Sequence, residues 1–169
     1  LRFSQEPIAP TSLLDLCGDP EMTVARLVDR WEQASLLDQI PVLPCAIGPQ
    51  GLYRFDALSS EHLATLVVGS TGSGKSEALA SIATAAVLSI PPDLLQVSFV
   101  DLKVWSLVRA LESLGVDHVD LLDDERGLGL ITNRISRRER LLVDAKCDDA
   151  ADFWSRYPER RAELPKWLI

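Results

Sequence analysis

Apolar and polar residues follow two different periods along the chain, and each period predicts one kind of element. Apolar residues recur about every 3.6 positions over residues 77–90 and 125–146, which is typical of helices with one buried face. The same spacing predicts a shorter helix over residues 103–114. Short runs rich in Val, Leu and Phe predict strands at 66–68, 95–101, 119–122 and 167–169. Strands and helices therefore alternate from residue 63 onward, which indicates an α/β fold with a mostly parallel sheet and flanking helices.

The apolar faces of the predicted helices define which of their side chains we expect to be buried. In the helix over 77–90 they are Leu79, Ile82, Ala83, Ala86, Val87 and Ile90. In the helix over 125–146 they are Leu128, Ile131, Ile135 and Leu142. A further helix, with Thr23 as its N-cap and an end near Asp38, has Val24, Leu27, Val28 and Trp31 on one face.

The first third of the chain shows a different pattern. Residues 1–20 are rich in proline, and we expect them to be irregular, with a small apolar anchor, Leu-Leu-Asp-Leu, at 13–16. Two short runs on either side of Pro49-Gln50-Gly51 are typical of a β-hairpin, and they comprise residues 46–48 and 52–55. The predicted division is a leader with its helix over 1–45 and an α/β domain over 46–169.

Composition narrows the class of protein. The 169 residues suit one domain, and their net charge of −8 opposes nucleic-acid binding over the whole surface, although a local basic groove stays compatible. Cys17, Cys45 and Cys147 form no C-x-x-C pair, which indicates reduced thiols rather than a zinc site or a disulfide framework. The longest apolar stretch is shorter than the roughly 18 residues of a membrane span, and no signal peptide is visible. Because the chain begins at Leu1, we expect it to be a piece of a longer protein.

Residues 69–76 match the G-x-x-x-x-G-K-[ST] pattern of a phosphate-binding loop at every position. The loop lies between a predicted strand and a predicted helix, so backbone N–H groups and a helix N-terminus would surround one anion. Lys75 would contact the β- and γ-phosphates of ATP, and the Ser76 hydroxyl would bind Mg²⁺. The alternative, a Gly/Ser-rich linker that matches by chance, is disfavoured by the flanking elements. The predicted ATP site comprises Gly69, Ser70, Thr71, Gly72, Ser73, Gly74, Lys75 and Ser76.

Two further groups of polar residues are candidates for function. Asp101 and Lys103 follow a predicted strand, at the edge of a sheet where ligands bind. One interpretation is that both side chains line the nucleotide or a neighbouring subunit. An equally good one is that Asp101 caps the following helix and Lys103 is solvated. The basic residues suit a subunit contact, a phosphate sensor or a polyanion track, but a solvated helix face paired with acids such as Glu139, Asp144 and Glu159 is favoured. These basic residues are Arg134, Arg137, Arg138, Arg140, Arg156, Arg160 and Arg161.

The histidines and tryptophans are interpreted as structural. His62 and His118 flank predicted strands, and neither has the neighbouring nucleophile or carboxylate that catalysis would need. No interleaving of basic and aromatic residues surrounds the tryptophans, so packing in a core or interface is favoured over stacking on nucleic-acid bases. The four are Trp31, Trp105, Trp154 and Trp167.

Taken together, these motifs resemble the FtsK/SpoIIIE-type motor ATPases. The resemblance rests on residues 66–76, on Ser-Phe-Val-Asp-Leu-Lys at 98–103, on the long arginine-bearing helix and on Leu-Pro-Lys-Trp-Leu-Ile at 164–169. It covers most of the chain from about Thr11 and implies a RecA-like P-loop NTPase fold, incomplete at the C-terminus and preceded by a short leader helix. It also implies a ring, usually a hexamer, that uses ATP and Mg²⁺ to move DNA or polypeptide across a membrane or septum.

Two branches of that family compete. Type VII secretion ATPases typically have a Leu-Leu-Asp-Leu-x-Gly box, a Trp-bearing helix, a Pro-x-x-Ile-Gly strand and a Glu after the loop. The corresponding positions here are residues 13–18, Trp31, residues 44–48 and Glu77. Residues 101–105, Asp-Leu-Lys-Val-Trp, are nearer the DNA-pump form, because the secretion branch commonly has Asp-x-Lys-Gly-Gly. Both branches often have Pro-His before the loop strand, where this chain has Ala64-Thr65. The leader favours a type VII-like motor over a translocase of double-stranded DNA.

The resemblance also indicates what lies outside this sequence. It implies a hydrolytic acidic pair at the end of the strand that opens at residues 167–169, beyond Ile169, so no catalytic residue is assigned. We expect this chain to bind ATP without efficient hydrolysis, and a nucleotide-binding regulatory module that never hydrolyses ATP is a further alternative. The family resemblance implies a cytoplasmic location at the inner face of the membrane, with membrane contact only through other parts of the intact protein.

Overall fold

The computed structural model describes residues 12–35, 43–48, 51–55, 65–100, 119–122 and 125–169. The chain forms two compact units, Leu1–Ile90 and Pro91–Ile169. The described elements of the first unit are α1 (Leu13–Leu16), α2 (Val24–Ser35), β1 (Leu43–Gly48), β2 (Gly51–Phe55) and α3 (Lys75–Ser89). Strands β1 and β2 pair antiparallel from Leu43 opposite Phe55 to Gly48 opposite Gly51, which confirms the predicted hairpin.

Helix α1 corrects the expectation that this part of the leader is irregular. The Ser12 N–H donates to Asp15 Oδ2 at 2.8 Å, and the Asp15 N–H donates to Ser12 Oγ at 3.1 Å. This reciprocal capping satisfies N–H groups that a short helix leaves unpaired at its start. The turn then ends at Gly18, whose φ of 80° is accessible to glycine at little cost.

Helix α2 begins where the sequence predicts. Thr23 Oγ1 accepts a hydrogen bond from the Arg26 N–H at 3.3 Å, the geometry of an N-cap. The described helix ends at Ser35, and the predicted end near Asp38 lies outside the described residues. Its predicted apolar face is only half right, because Val24 and Val28 are exposed while Leu27 and Trp31 are partly buried.

Helix α3 packs by small residues. Ala83, Ala85, Ala86 and Val87 are buried, and Ile90 is buried just after the helix ends. The Trp31 Nε1–H donates to the Val87 carbonyl at 3.0 Å, which joins α2 to the buried half of α3. The predicted apolar face is therefore confirmed toward the C-terminus, whereas Leu79 near the N-terminus is exposed.

The strand predicted at residues 66–68 is not present. Residues 65–70 have no regular structure, and the side chains of Leu66 and Val68 are 86% and 80% exposed. A strand needs a neighbour to pair its backbone N–H and C=O groups. In the described part of the first unit, β1 and β2 pair with each other, and no strand lies beside residues 65–70.

The described elements of the second unit are β3 (Leu95–Val100), β4 (Val119–Leu122), α4 (Glu125–Ala145), α5 (Ala150–Arg156), a 3₁₀ helix (Pro158–Glu163) and β5 (Lys166–Leu168). Its three strands form a parallel sheet in the order β4-β3-β5. All three were predicted from short apolar runs, and the helix predicted over 103–114 lies outside the described residues. Leu95 and Val97 of β3 are buried, together with Phe153 and Trp154 of α5.

Helix α4 has its predicted bounds within one residue, but its predicted apolar face is only half right: Ile131 and Leu142 are partly buried as expected. Leu128 and Ile135, predicted to point inward, are 54% and 42% exposed. Gly127 is buried, and Arg134 and Arg138 are partly buried. Arg134 donates to Ser98 in β3, and Arg138 donates to the carbonyl of Pro165, just before β5. Arginine has a long apolar stem and a guanidinium that stacks on aromatic rings, so it occupies a helix face that a hydropathy pattern assigns to aliphatic residues.

Candidate functional site: the glycine-rich loop before helix α3

The glycine-rich loop at residues 69–76 closes through a tight turn. The Ser73 N–H donates to the Ser70 carbonyl at 3.2 Å. Gly72 and Gly74 have φ values of 79° and 84°, in the left-handed region that glycine adopts without the strain a Cβ would add. Two of the three glycines in the motif are therefore required by the backbone conformation of the loop itself.

Lys75, the first residue of α3, folds back over the loop. Its Nζ donates to the carbonyl oxygens of Gly69 and Ser70 at 2.8 and 2.6 Å, and lies 3.5 Å from the Ser73 hydroxyl. The lysine thus brings a positive charge to the loop backbone. An anion bound in the loop would lie beside this ammonium group, which interacts with phosphate as a compact point charge.

The start of helix α3 supplies further donors. Gly74 is the N-cap, and no side chain accepts a hydrogen bond from the first turn. The N–H groups of residues 75–77 therefore have no partner within the helix, and the partial positive charge of a 15-residue helix lies at the same end. Residues 69–74 and Ser76 are exposed, so a ligand can reach these donors. This arrangement fits the phosphate chain of a nucleotide.

The described residues hold no independent metal site. No group of three His, Cys, Asp or Glu side chains lies close enough to bind a metal ion in the part of the chain that the structure describes. Mg²⁺ commonly takes only one or two protein ligands and shares the rest with water and phosphate oxygens. The Ser76 hydroxyl, exposed in the first turn of α3, fits that limited role beside a bound triphosphate.

The structure does not place the other predicted polar pair. Asp101 and Lys103 lie outside the described residues, so whether they line a ligand stays a prediction. His62 and His118 also lie outside them. The thiols of Cys17 and Cys147 are free and buried, and desolvation raises the pKa of each, which disfavours reactive thiolates at neutral pH. The side chain of Cys45 lies outside the described part of the chain.

The arginines singled out in the sequence differ in their surroundings. Arg156 pairs with Asp152 and Arg160 with Glu163, each at 2.7 Å, so acids partner these two, as the solvated-face interpretation expects. Arg137 is exposed, as the solvated-face interpretation expects. For the pair at 134 and 138 that interpretation is wrong. Their guanidinium carbons lie 5.4 and 5.9 Å from the ring centroid of Trp167 in β5.

The tryptophans are packing residues wherever the structure describes them. The Trp154 Nε1–H donates to the Leu164 carbonyl at 2.9 Å, and the Trp167 Nε1–H donates to Ser98 Oγ at 2.8 Å. The Trp31 Nε1–H likewise donates to the Val87 carbonyl. These three hydrogen bonds confirm the structural interpretation for three of the four tryptophans, and Trp105 lies outside the described residues. Sequence reasoning missed the contact between Trp167 and the arginines, although the spacing of four residues between Arg134 and Arg138 on one helix was available as a signal.

Comparison with known proteins identifies the family. A model described as the FtsK/SpoIIIE family matches residues 26–166. The curated relatives include the ESX-5 secretion system protein EccC5 of Mycobacterium tuberculosis, 37% identical over 103 residues, which is 56% of this chain and 7% of that protein. The protein of the same name from Mycobacterium marinum is 36% identical over 94 residues, 50% of this chain and 7% of that protein.

The chain thus spans about 7% of the length of the curated relatives it matches. No solved structure matches it. Within the described residues, no helix has both the length and the apolar character to cross a membrane.

Proposed function

The chain belongs to the FtsK/SpoIIIE family, a family of P-loop ATPases, and on that premise we propose that it is the ATP-binding part of a ring-forming motor that drives polypeptide export in a type VII-like secretion system. Residues 1–45 would be the leader and residues 46–169 part of a RecA-like ATPase domain. The observation that carries the proposal is the loop at Gly69–Ser76, with its two left-handed glycines and the ammonium group of Lys75 over the loop backbone.

The proposed chemistry begins with phosphate binding. The free N–H groups at the start of α3 would donate to phosphate oxygens, and Lys75 would exchange its bonds to the carbonyls of Gly69 and Ser70 for the β- and γ-phosphates. Ser76 would hold Mg²⁺, which would neutralise charge on the same phosphates when bound. The loop residues bind and orient; none of them is a base that could activate water.

Three observations support polypeptide rather than DNA as the cargo. The relatives found are named as secretion system proteins, although the match covers only about half of this chain. The net charge of −8 opposes non-specific binding to a polyanion. Four of the arginines considered for a phosphate track lie over aromatic rings of their own unit: Arg134, Arg138, Arg160 and Arg161.

The assembly follows from the same premise. A ring of copies of this motor, a hexamer in our proposal, would act in the cytoplasm at the inner face of the membrane. Membrane contact would come from parts of the protein outside these 169 residues. A secreted polypeptide would be the partner in transit.

Nucleotide binding is tested by titrating a fluorescent ATP analogue into the chain in the presence of Mg²⁺. We expect Lys75→Ala to weaken binding by tenfold or more, because it removes the ammonium group from the loop. A tenfold loss corresponds to about 1.4 kcal/mol of binding free energy. Arg137→Ala, which removes an exposed cation far along the sequence, is the matched control and should bind like the wild type. Equal affinities for the wild type and the Lys75 variant would contradict the assignment of the loop.

The cargo is tested in the full-length protein by comparing stimulation of its ATPase activity by duplex DNA and by an exported polypeptide. We expect stimulation by polypeptide only. Stimulation by DNA, with an affinity that falls steeply as salt concentration rises, would instead make the protein a DNA translocase of the same family.

A further inference from the structure

Three elements of the second unit meet at one buried hydroxyl group. Ser98 in β3 is 1% exposed, and its Oγ accepts hydrogen bonds from Trp167 Nε1 in β5 at 2.8 Å and from Arg134 Nη1 in α4 at 3.3 Å. A buried hydroxyl that is bonded on both sides fixes the groups around it, because breaking either bond leaves a polar atom without water. Ser98 therefore couples the position of β5 to that of α4.

The second contact between α4 and β5 is made by Arg138. Its Nη1 donates to the carbonyl of Pro165, immediately before β5, at 2.7 Å. Arg138 and Arg134 both lie within 6 Å of the Trp167 ring centroid, so the indole is covered by two guanidinium groups. Burial lowers the pKa of Arg138, and the neighbouring charge of Arg134 lowers it further.

This arrangement is costly by itself. Like charges four residues apart on a helix repel, and partial burial removes water from both. Their contacts with the indole and with the Pro165 carbonyl offset that cost only while β5 stays in place. Lysines in the same two positions could not make the planar stacking contact in the same way.

Strand β5 is the element that needs such support. It has three residues, and in the described part of the chain it pairs with β3 alone, with Leu95 opposite Lys166 and Val97 opposite Leu168. Such a short edge strand is weakly held by its own ladder. Its direction is parallel to β3, toward the carboxyl edge of the sheet, where ligands of α/β proteins bind.

We propose that Arg134 and Arg138, acting through Trp167 and Ser98, are positioning residues that hold β5 in register and so set the placement of the hydrolytic residues at the end of that strand. This inference rests on the proposed function, because the family resemblance assigns the acidic pair to this strand. The arginines themselves do not touch the nucleotide. They act on the rate of hydrolysis and not on the binding of ATP, which belongs to the loop at Gly69–Ser76.

The role of Arg134 and Arg138 in holding β5 is tested first in the 169-residue chain by amide hydrogen exchange. The Lys166 N–H donates to the Leu94 carbonyl at 2.9 Å and reports the docking of β5. We expect Arg138→Gln to raise the amide exchange rates of residues 166–168 at least tenfold. Trp167→Phe, which keeps an aromatic ring but loses the N–H, should raise them as much. The matched control is Arg137→Gln, the exposed arginine next to Arg138, which should leave exchange unchanged. Unchanged protection of β5 in both test variants would overturn the proposal.

The consequence for hydrolysis is tested in the full-length protein with the same variants. We expect kcat for ATP to fall roughly 10- to 100-fold, the scale of a small misplacement of a reacting group, with the affinity for ATP analogue unchanged. Arg138→Lys, which keeps the charge but loses the planar group, should lie between the wild type and Arg138→Gln. A parallel fall in kcat, affinity and melting temperature would show a merely structural role and overturn the proposal. Failure of the wild type to bind ATP would instead refute the proposed function.

Discussion

The hydroxyl group of Ser73 lies against Gly69, in the position that a side chain at residue 69 would occupy. A Cβ atom on residue 69 would overlap Ser73 Oγ and would lie 3.2 Å from Ser73 Cβ. Gly69 has no positive φ, so its need for glycine comes from this close approach and not from the backbone conformation. The loop thus depends on glycine for two different physical reasons, the first at position 69 and the second at positions 72 and 74.

This contact predicts that Gly69→Ala weakens ATP binding and that Ser73→Gly restores much of it. The overlapping Ser73 Oγ ends a side chain that can rotate, so the added methyl group should cost about 1 kcal/mol, the low end of overpacking and several-fold in affinity. The measurement is the titration of a fluorescent ATP analogue against both single variants and the double variant. Gly129→Ala is the control, because a Cβ there meets nothing within 4 Å. Additive effects of the two loop substitutions would contradict the contact.

The elements best predicted from the sequence are those whose signals are local. The N-cap at Thr23, the hairpin formed by β1 and β2, and the bounds of α3 and α4 each depend on residues close together in the chain. The phosphate-binding loop belongs to the same class, since its motif specifies a turn and the start of a helix. Helix α1 was missed even though its Ser12-x-x-Asp15 capping signal is equally local.

The other errors concern relations between distant residues. Leu66, Val67 and Val68 have the composition of a buried strand, but composition does not provide the neighbouring strand that would pair with them. The buried face of α4 is predicted only in part, because contacts with Trp167, about 30 residues further on, bring Arg134 and Arg138 to the side of the helix that faces the sheet. Hydropathy counts arginine as polar, whereas stacking on an indole buries much of its side chain.

Trp154→Phe is predicted to destabilise the chain because one hydrogen bond is lost. The substitution keeps an aromatic ring but removes the Nε1–H that donates to the Leu164 carbonyl, and Leu164 is buried. An unpaired buried carbonyl should lower the free energy of unfolding by about 1–3 kcal/mol. Urea unfolding followed by circular dichroism measures the change. Tyr157→Phe is the control, since its hydroxyl donates over a longer 3.4 Å to Ala145, and an equal loss in both variants would refute the argument.

Asp149→Ala is predicted to destabilise α5 by about 0.5–2 kcal/mol through loss of its N-cap. Asp149 Oδ1 accepts a hydrogen bond from the Asp152 N–H at 2.7 Å. Asp149→Asn should retain most of the stability, because its side-chain oxygen can accept the same bond. Asp148→Ala removes the adjacent exposed carboxylate and is the matched control in the same unfolding experiment. A larger loss in the Asp148 variant would show that charge rather than capping matters here.

The ion pair between Arg160 and Glu163 predicts a specific pH dependence. Two hydrogen bonds from Arg160, each 2.7 Å long, hold the pKa of Glu163 below its usual range. A depressed carboxyl pKa stabilises the fold above the unfolded-state value, about 4.3, and this contribution is lost as pH falls through the lower folded value. NMR titration of Glu163 should give a midpoint below about 4.3, and Arg160→Gln should raise it. An unchanged midpoint in the variant would mean that the pair is not formed in solution.

The 169-residue chain is predicted to bind ATP without turning it over at an enzymatic rate. Lys75 and Ser76 bind phosphates and metal in our proposal, but hydrolysis in P-loop enzymes also needs a carboxylate or amide that orients the attacking water. Asp101 follows β3 and lies outside the described residues, and the resemblance assigns the catalytic acids to the end of β5 instead.

A phosphate-release assay on the chain should therefore give a rate well below about 1 s⁻¹, the low end of typical kcat values. The same preparation should bind the fluorescent analogue, which excludes a misfolded loop as the cause. Turnover at or above that rate would contradict the assignment of the catalytic acids to β5 if it disappears in Asp101→Asn while binding persists. Asp101 would then be the catalytic acid.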